Sequence, residues 1–177
     1  MQQFRLIPHS STPCEFIRSV SVNVARESAD QWILAYSVEG DIERLRVPPP
    51  GTPARTDGLW RETCFEVFLC PGASGAYDEF NFAPSGAWAG YRFDDYRHGM
   101  RPIEPMQTPA IRYSSSARTL QMDVRLTIAL PMEHAARIAL ASVLQDVDDQ
   151  VSYWALAHAA GKPDFHNVQG FAAAPDR

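Results

Sequence analysis

Apolar and polar side chains alternate along much of the chain, and this alternation predicts strands. In residues 120–128 every second side chain is apolar, and the side chains between them are polar or charged. A period of two residues is typical of a strand that buries one face. Residues 16–25 alternate in the same way, and residues 31–39 are rich in aromatic and branched side chains. Because a short charged segment joins these two runs, they predict a hairpin.

Further strand-like runs follow, and glycine or proline turns separate them. They share a high content of branched and aromatic residues and lie at residues 63–69, 77–83, 88–93, 138–146 and 152–158. The first three predict a β-meander, since only short turns join them. A shorter strand is predicted to end at Val47, because the three prolines that follow it donate no ladder hydrogen bonds. Residues 132–139 predict one or two helical turns.

These elements predict one all-β domain. Nine or ten short strands with almost no helix favour an antiparallel β-sandwich of the jelly-roll or immunoglobulin-like type. A parallel α/β sheet is disfavoured, because no helices alternate with the strands. The length of 177 residues suits a single domain with a substantial core, so we assign residues 1–177 to one unit.

Composition and charge narrow the expected partners. The formal net charge is -5 and the cations form no basic cluster, so we expect no nucleic-acid partner. No apolar stretch approaches the length of a membrane span, so we expect no membrane partner either. The first sixteen residues contain no continuous apolar run, which argues against a secretory signal and predicts a cytoplasmic location. Cys14, Cys64 and Cys70 agree with a reducing compartment. The oligomeric state is left open.

Polar side chains interrupt the apolar strands between residues 57 and 97, namely Glu66, Glu79, Asn81 and Arg92. Strand parity predicts that Glu79 and Asn81 share one face, opposite a core face built from phenylalanine. Three roles are open for the two glutamates. They are solvent-facing and paired with an arginine, or they hold a bound molecule, or they are catalytic carboxylates that divide acid and base roles.

Three tryptophans are candidates for stacking on a ligand. Trp60 follows a loop, Trp88 begins a strand and Trp154 lies in the last strand. An indole ring packs on the apolar face of a sugar, while the hydroxyl groups of the sugar need polar partners. A core position is the alternative for each of them, since tryptophan in a sandwich is often buried. For Trp32 we predict a core position.

The C-terminal segment HAAGKPDFH contributes a second polar set, formed by His158, Asp164 and His166. Histidine and aspartate at this spacing can ligate a metal or activate a nucleophile. The alternative is a pair of hydrogen-bonding loop residues. The sequence contains no GxSxG motif and no CxxC pair, which argues against a nucleophile elbow and against a structural zinc site.

A resemblance to a known family rests on three segments, DGLWRETCFEVFL, YDEFNFAPSGAWAGYRFDDYR and SYWALAHAAGKPDFH. They resemble the DOMON-like group of bacterial domains, which is similar to family 9 carbohydrate-binding modules. The resemblance covers residues 16–171 and implies an antiparallel β-sandwich whose known members bind sugars or haem. It also implies that aromatic residues such as Trp60, Trp88 and Trp154 sandwich a sugar, while polar side chains of the sheet hold its hydroxyl groups.

The sequence therefore leads to one hypothesis and several alternatives. We expect a non-catalytic domain that binds a carbohydrate or sugar derivative, and we expect no cofactor. The first alternative is a sugar-active hydrolase or isomerase that uses Glu66 and Glu79, or the loop from His158 to His166. The others are a haem or redox module and a subunit that binds another protein. Haem and a calcium ion have no support from a ligand pattern, since Met100 pairs with no evident histidine.

Overall fold

A computed structural model describes residues 1–72, 75–104, 106–128 and 137–175. Within these residues the chain forms strands and three short 3-10 turns. The same part of the chain contains no helix that is both long and apolar enough to cross a membrane. The helical turns predicted at residues 132–139 lie mostly outside the described residues, and Arg137 already belongs to a strand.

Twelve strands lie in the described residues. In chain order they are β1 (Gln2–Pro8), β2 (Ile17–Arg26), β3 (Gln31–Gly40), β4 (Cys64–Cys70), β5 (Tyr77–Phe82), β6 (Trp88–Phe93), β7 (Arg101–Pro102), β8 (Ala110–Ser115), β9 (Thr119–Thr127), β10 (Arg137–Gln145), β11 (Val151–Ala155) and β12 (Ala172–Ala173). The 3-10 turns lie at Ile42–Arg44, Leu59–Arg61 and Val168–Gly170. The predicted all-β class with almost no helix is confirmed.

The strands pair in an antiparallel manner along one hydrogen-bonded path, in the order β7-β6-β5-β4-β10-β11-β1-β2-β3-β9-β8, and β12 is added beside β10. The prediction of a sandwich with nine or ten strands is therefore too simple. Strand β1 joins what would be two sheets, because residues 2–6 pair with β2 whereas Ile7 and Pro8 pair with β11. The result is a strongly curled sheet.

The curl brings two halves of the sheet face to face around the main core. We call β1, β2, β3, β8 and β9 the open half, and β4, β5, β6, β7, β10 and β11 the covered half. Tyr36 of the open half donates a hydrogen bond of 3.1 Å to the carbonyl oxygen of Glu66, and its ring centroid lies 5.0 Å from that of Phe65. Branched and aromatic side chains fill the space between the halves, Trp32 among them as predicted. Each contributes about 1.5–3 kcal/mol when it leaves water.

The outer faces of the two halves differ. Along β9 the side chains alternate between buried and exposed, as the sequence predicts for a strand with one buried face. All seven side chains of β4 are buried, because the sequence CFEVFLC is largely apolar at both parities. The outer face of the covered half carries a second apolar cluster, consisting of Phe68, Cys70, Tyr77, Ala89, Tyr91, Phe93, Ala139 and Ala141. Leu59, Trp60, Phe165 and Phe171 pack over this cluster.

Some elements differ from the prediction. Strands β1, β7, β8 and β12 have no counterpart among the predicted strands. The strand predicted to end at Val47 is wrong, because residues 42–44 form a 3-10 turn and Leu45 makes only an isolated bridge, to Asp146. Cys64 and Cys70 lie on one strand as predicted, and none of the three cysteines forms a disulfide.

Candidate functional site

A cavity of about 310 Å³ lies on the outer face of the covered half. Its floor is sheet and its walls are mostly aromatic. The residues that line it are Trp60, Glu66, Glu79, Phe93, Arg97, Met100, Val143, Tyr153, Pro163, Phe165 and His166. Depressions of about 450 and 750 Å³ lie elsewhere on the described surface, but neither contains a buried carboxyl group. Among these three, the cavity of about 310 Å³ is therefore the one lined by buried carboxyl groups.

Strand register places two glutamates on the floor of this cavity. Strands β4 and β5 pair with Glu66 opposite Asn81 and with Phe68 opposite Glu79. Glu66 and Glu79 are thus diagonal neighbours on one face, a relation that separates Cα atoms by about 7–8 Å. Their exposed fractions are 2% and 4%, so both side chains are largely removed from water. The solvent-facing alternative for these glutamates is wrong.

Glu79 is held by polar neighbours on its own face. Asn81 Nδ2 donates a hydrogen bond of 2.7 Å to Glu79 Oε1, and His166 Nε2 lies 3.8 Å from Glu79 Oε2. The thiol of Cys64 makes a 3.8 Å contact with the carbonyl oxygen of the Asn81 side chain. Burial raises the pKa of Glu79, while the hydrogen bond from Asn81 and the charge of Arg97 act in the opposite direction. Glu79 is therefore the better stabilised of the two carboxylates.

Glu66 has no comparable set of partners. Among the described residues, its buried Oε1 atom finds no hydrogen-bond partner. Burial, and after it the nearby charge of Glu79, raises the pKa of Glu66 well above its ordinary value. An unsatisfied buried polar group costs about 1–3 kcal/mol, so it is rarely retained without a reason. Strongly shifted acids in a cleft are also a feature of functional sites.

A hydrogen-bond chain orients His166. The backbone N–H of Arg97 donates to the hydroxyl oxygen of Tyr77 at 3.2 Å, and this hydroxyl lies 2.7 Å from His166 Nδ1. This contact fixes the orientation of the His166 ring, so that its Nε2 atom faces Glu79 Oε2. Burial lowers the pKa of His166 to about 4 and raises the pKa of Tyr77 to about 12. Both side chains are therefore neutral at neutral pH.

One wall of the cavity comes from the loop before β4. Gly58 has a φ of 79°, a left-handed conformation that favours glycine, and it begins the turn Leu59–Arg61. This turn sets the partly buried ring of Trp60 edge-on to Tyr91, with 5.9 Å between the ring centroids. The hydroxyl of Tyr91 donates a 2.6 Å hydrogen bond to Asp57, which ties the loop to the sheet.

The opposite wall is the C-terminal loop. The ring of Phe165 lies 5.9 Å from that of Tyr153. Asp164 accepts hydrogen bonds of 2.8 and 3.2 Å from the guanidinium of Arg97 and another from the hydroxyl of Tyr96. These bonds tie the loop to the connection between β6 and β7. The loop thereby holds its aromatic residues and His166 over the sheet.

Most of the predicted site residues meet at this cavity. Those that line it or hydrogen-bond to its lining are Trp60, Glu66, Glu79, Asn81, Asp164 and His166. The meander and the C-terminal segment, which are far apart in the sequence, thus contribute to one site. The prediction that Glu79 and Asn81 share a face opposite the phenylalanine core is confirmed, since Phe80 and Phe82 belong to the main core.

Two of the predicted tryptophans lie in the main core instead. Trp88 is 6% exposed and stands opposite Phe82 in the register of β5 and β6, so it shares the inner face of the sheet. Trp154 is 3% exposed, and its indole N–H donates a hydrogen bond to the hydroxyl of Ser152. Neither ring reaches the cavity, so stacking on a ligand there falls to Trp60.

Arg92 and His158 also lie away from the cavity. The guanidinium of Arg92 donates two hydrogen bonds, of 2.7 and 2.6 Å, to the carboxylate of Asp78. The ring of His158 packs edge-on against that of His9, and its Nε2 lies 2.9 Å from the carbonyl oxygen of Ile7. Both side chains have structural partners, in keeping with the alternative of internal pairing.

The remaining lining residues are not among the predicted site residues. Among them, Met100 appears in the sequence analysis only as a possible haem ligand. Phe165 stands between two predicted site residues, Asp164 and His166, and this position in the sequence could have indicated it. No neighbouring residue in the sequence indicates Tyr153 or Val143, because only the register of β10 with β11 brings them together.

Metal and haem ligation find little support in the described residues. No group of three histidine, cysteine, aspartate or glutamate side chains in them is arranged to hold a metal ion. Met100 and His166 both line the cavity, which is the pairing that a haem module would need. However, His166 Nδ1 is bonded to Tyr77 and its Nε2 faces Glu79. Ligation would require a ring nitrogen of His166 to leave its present partner.

Two solved structures with a similar fold are those of a candidate carbohydrate-binding protein and of a carbohydrate-binding module. A candidate carbohydrate-binding protein from Bacteroides uniformis has 13% sequence identity and a TM-score of 0.69, covering 98% of this chain and 85% of the other. A family 9 carbohydrate-binding module from Caldicellulosiruptor kristjanssonii, solved with cellotriose, has 8% identity and a TM-score of 0.57, covering 90% and 74%. At such identities the likeness concerns the fold alone. No protein-family model and no curated protein sequence matches the chain.

Proposed function

We propose that this protein binds a carbohydrate or sugar derivative in the cavity on the covered half, as a DOMON-like, non-catalytic module. The observation that carries the proposal is the pair of buried carboxyl groups, Glu66 and Glu79, on the floor of an aromatic-walled cavity. A sugar needs this combination, because its ring hydrogens are apolar whereas its hydroxyl groups demand hydrogen bonds. The similarity in fold to carbohydrate-binding proteins supports the same conclusion.

The size and contacts of the cavity suit a small ligand. Its volume of about 310 Å³ is at the lower end of the roughly 300–1,000 Å³ typical of ligand pockets. This favours one or two sugar rings over a long polysaccharide. A hydroxyl group of the sugar would give Glu66 Oε1 the hydrogen bond that the described residues do not supply. The partly buried ring of Trp60 provides a stacking surface in the wall of the cavity.

Isothermal titration calorimetry against a panel of mono- and disaccharides tests this proposal. Trp60→Ala should weaken the binding of any sugar that binds by about tenfold or more, the effect of one lost stacking contact. Tyr113→Ala is the matched control, because Tyr113 is a partly buried aromatic residue on the open half. Equal affinity in the wild type and Trp60→Ala would contradict the proposed site.

Catalysis on a sugar is the second candidate, and one observation favours it. The two carboxyl groups have different environments, since Glu79 has polar partners whereas Glu66 Oε1 has none among the described residues. Such a difference is what allows one acid to stay protonated while the other is ionised. Aryl glycosides and free sugars incubated with the protein and followed by NMR test for turnover. A sugar that binds and is recovered unchanged excludes this candidate.

A further inference from the structure

The charge balance of the cavity distinguishes one class of sugar derivative. We propose that the ligand carries a positive charge, as an amino sugar does, and that its ammonium group lies between Glu66 and Glu79. This inference rests on the proposed sugar-binding function and narrows it to a substrate class. Neutral sugars would bind in the same cavity but more weakly.

The first argument is the state of the two carboxyl groups. Both line the cavity and are more than nine-tenths buried, with 2% of Glu66 and 4% of Glu79 exposed. Glu66 Oε1 has no hydrogen-bond partner among the described residues, whereas Glu79 receives only the N–H of Asn81 and the distant ring of His166. Two buried carboxyl groups side by side repel each other when both are ionised. A cation between them removes this repulsion and satisfies the free oxygen.

The second argument is that no cation among the described residues is dedicated to the two carboxyl groups. The titratable side chains that face the pair from the neighbouring elements are Tyr36, Cys64, Tyr77, Tyr91, Arg97 and His166. Burial favours the neutral forms of the tyrosines, Cys64 and His166, whereas hydrogen bonds to Asp164 and its negative charge keep Arg97 charged. The guanidinium of Arg97 is paired with Asp164 at 2.8 Å, so its charge is largely committed. The described surroundings of the cavity therefore leave the two glutamates without a dedicated counter-ion.

The third argument is the aromatic wall. The rings of Trp60, Phe93, Tyr153 and Phe165 all line the cavity. The face of an aromatic ring attracts a cation by about 0.5–2 kcal/mol, and the attraction is strongest when the cation has left water. Aromatic walls above two carboxyl groups thus suit an ammonium group on an otherwise hydroxylated ring. A neutral hydroxyl group can donate a hydrogen bond to Glu66 Oε1, but it gains neither the ion pairing nor the cation–π attraction.

Calorimetry with glucosamine, glucose and N-acetylglucosamine, at about pH 6.5 where the amine is protonated, tests the inference. Glucosamine should bind at least tenfold more tightly than glucose, and acetylation of the amine should abolish this preference. Binding of glucosamine should also release protons, because the cation lowers the raised pKa of Glu66. The release is measured from the dependence of the binding heat on the ionisation enthalpy of the buffer.

Variants separate a charge effect from a structural one. Glu66→Gln keeps the shape of the side chain but removes its negative charge, so it should reduce the preference for glucosamine over glucose to less than threefold. Asp123→Asn is the matched control, because it removes one negative charge from the exposed face of β9 and should leave the preference unchanged. Circular dichroism confirms that both variants fold.

The outcomes distinguish this inference from the proposed function. If glucose and glucosamine bind equally well, the cation site is overturned and the sugar-binding function stands. If neither sugar binds but a simple cyclic amine such as cyclohexylamine does, the cation site stands and the sugar-binding function is overturned. If none of these compounds binds, both are overturned. A preference for glucosamine that survives Glu66→Gln also overturns the assignment of the ammonium group to this pair.

Discussion

The two halves of the sheet have similar inner faces and contrasting outer faces. On the open half, the outer side chains of β9, such as Asp123 and Arg125, are exposed to solvent. On the covered half, Glu66 and Glu79 occupy equivalent outward positions and are buried. An acidic side chain at an outward position is therefore exposed on the open half and buried on the covered half. The difference lies in the residues beside it on its own face, which are polar on β9 and apolar on β4.

This contrast has an energetic consequence. Mutation of an exposed carboxylate such as Asp123 usually changes stability by less than about 0.5 kcal/mol. A buried carboxyl group loses its hydration, which is why the pKa values of Glu66 and Glu79 are raised. The two buried carboxyl groups thus lower the stability of the covered half. Groups that lower stability in this way are typical of functional sites.

The largest expected effect tests whether the covered half has a true core on its outer face. Phe68→Ala should lower the free energy of unfolding by about 3–5 kcal/mol, the cost of truncating a buried phenylalanine. Phe68 is fully buried and belongs to the outer cluster, whereas Phe80 is fully buried in the main core. Urea denaturation should therefore give similar losses for Phe68→Ala and Phe80→Ala. A loss below about 1 kcal/mol for Phe68→Ala alone would show that the outer face is open in solution.

The polar contacts under the cover should have the next largest effect. Asn81→Ala removes the donor to Glu79 Oε1 and should destabilise the protein by about 1–3 kcal/mol at pH 8, because it leaves a buried carboxylate poorly paired. The cost should shrink as the pH falls towards 4.5, since Glu79, whose pKa is raised, takes up a proton over this range and then needs the donor less. Gln121→Ala, on the exposed face of β9, is the control and should change stability by less than about 0.5 kcal/mol at either pH. A pH-independent loss in Asn81→Ala would point to a packing defect instead.

Much of this contrast could be predicted from the sequence, but not all of it. Alternation predicted β9, and the parity of β5 predicted that Glu79 and Asn81 face away from Phe80. The burial of Trp88 could also have been predicted, since a hairpin that pairs Trp88 with Phe82 places both rings on one face. The apolar residues at both parities of β4 could have shown that its outer face is covered.

Other features depend on tertiary contacts that no local pattern encodes. Strand β1 buries only Leu6 and β8 buries no side chain completely, so pairing with neighbours forms these strands and a hydrophobic stripe does not mark them. The contact of Tyr77 with His166 joins residues 89 positions apart. Sequence reasoning found the members of the site separately, and only the fold shows which of them meet. The cytoplasmic location stays a prediction, because the fold does not test it.

The pH dependence of stability should separate the two halves as well. The pKa of Glu66 is raised above its ordinary value of 4.5, so the folded protein keeps a proton that the unfolded chain has released. The free energy of unfolding must therefore fall as the pH rises from 4.5 towards the raised pKa. Glu66→Gln has no carboxyl group at this position and should escape this loss. It should be more stable than the wild type at pH 8, by about 1 kcal/mol or more. At about pH 4 it should not be more stable.

Thermal or urea unfolding across this pH range measures the difference, and Asp123→Asn supplies the baseline for an exposed acid. His166 contributes with the opposite sign. Its pKa is lowered to about 4, so its contribution is complete above the ordinary value of 6.5 and is lost as the pH falls towards 4. Identical pH profiles for Glu66→Gln and the wild type would show that Glu66 is hydrated in the free protein.

The smallest effect concerns one ion pair on each half. Arg125 and Glu27 on the open half lie 3.2 Å apart with 67% and 43% of their side chains exposed, whereas Arg97 and Asp164 lie 2.8 Å apart with 51% and 18% exposed. Double-mutant cycles should give a coupling of about 0–0.5 kcal/mol for the first pair, since exposed charges are screened by water and salt. The second pair should reach about 1 kcal/mol, because Asp164 is partly buried and also accepts from Tyr96.

Raising the salt concentration should weaken the first coupling more than the second. The two ion pairs should differ even more in their effect on ligand binding than in their coupling energies. Asp164→Asn loosens the C-terminal loop that carries Phe165 and His166 over the cavity, so it should weaken ligand binding by more than it lowers stability. Glu27→Gln lies on the other half and should leave binding unchanged. Equal effects of the two variants on binding would show that the loop does not form the wall of the site.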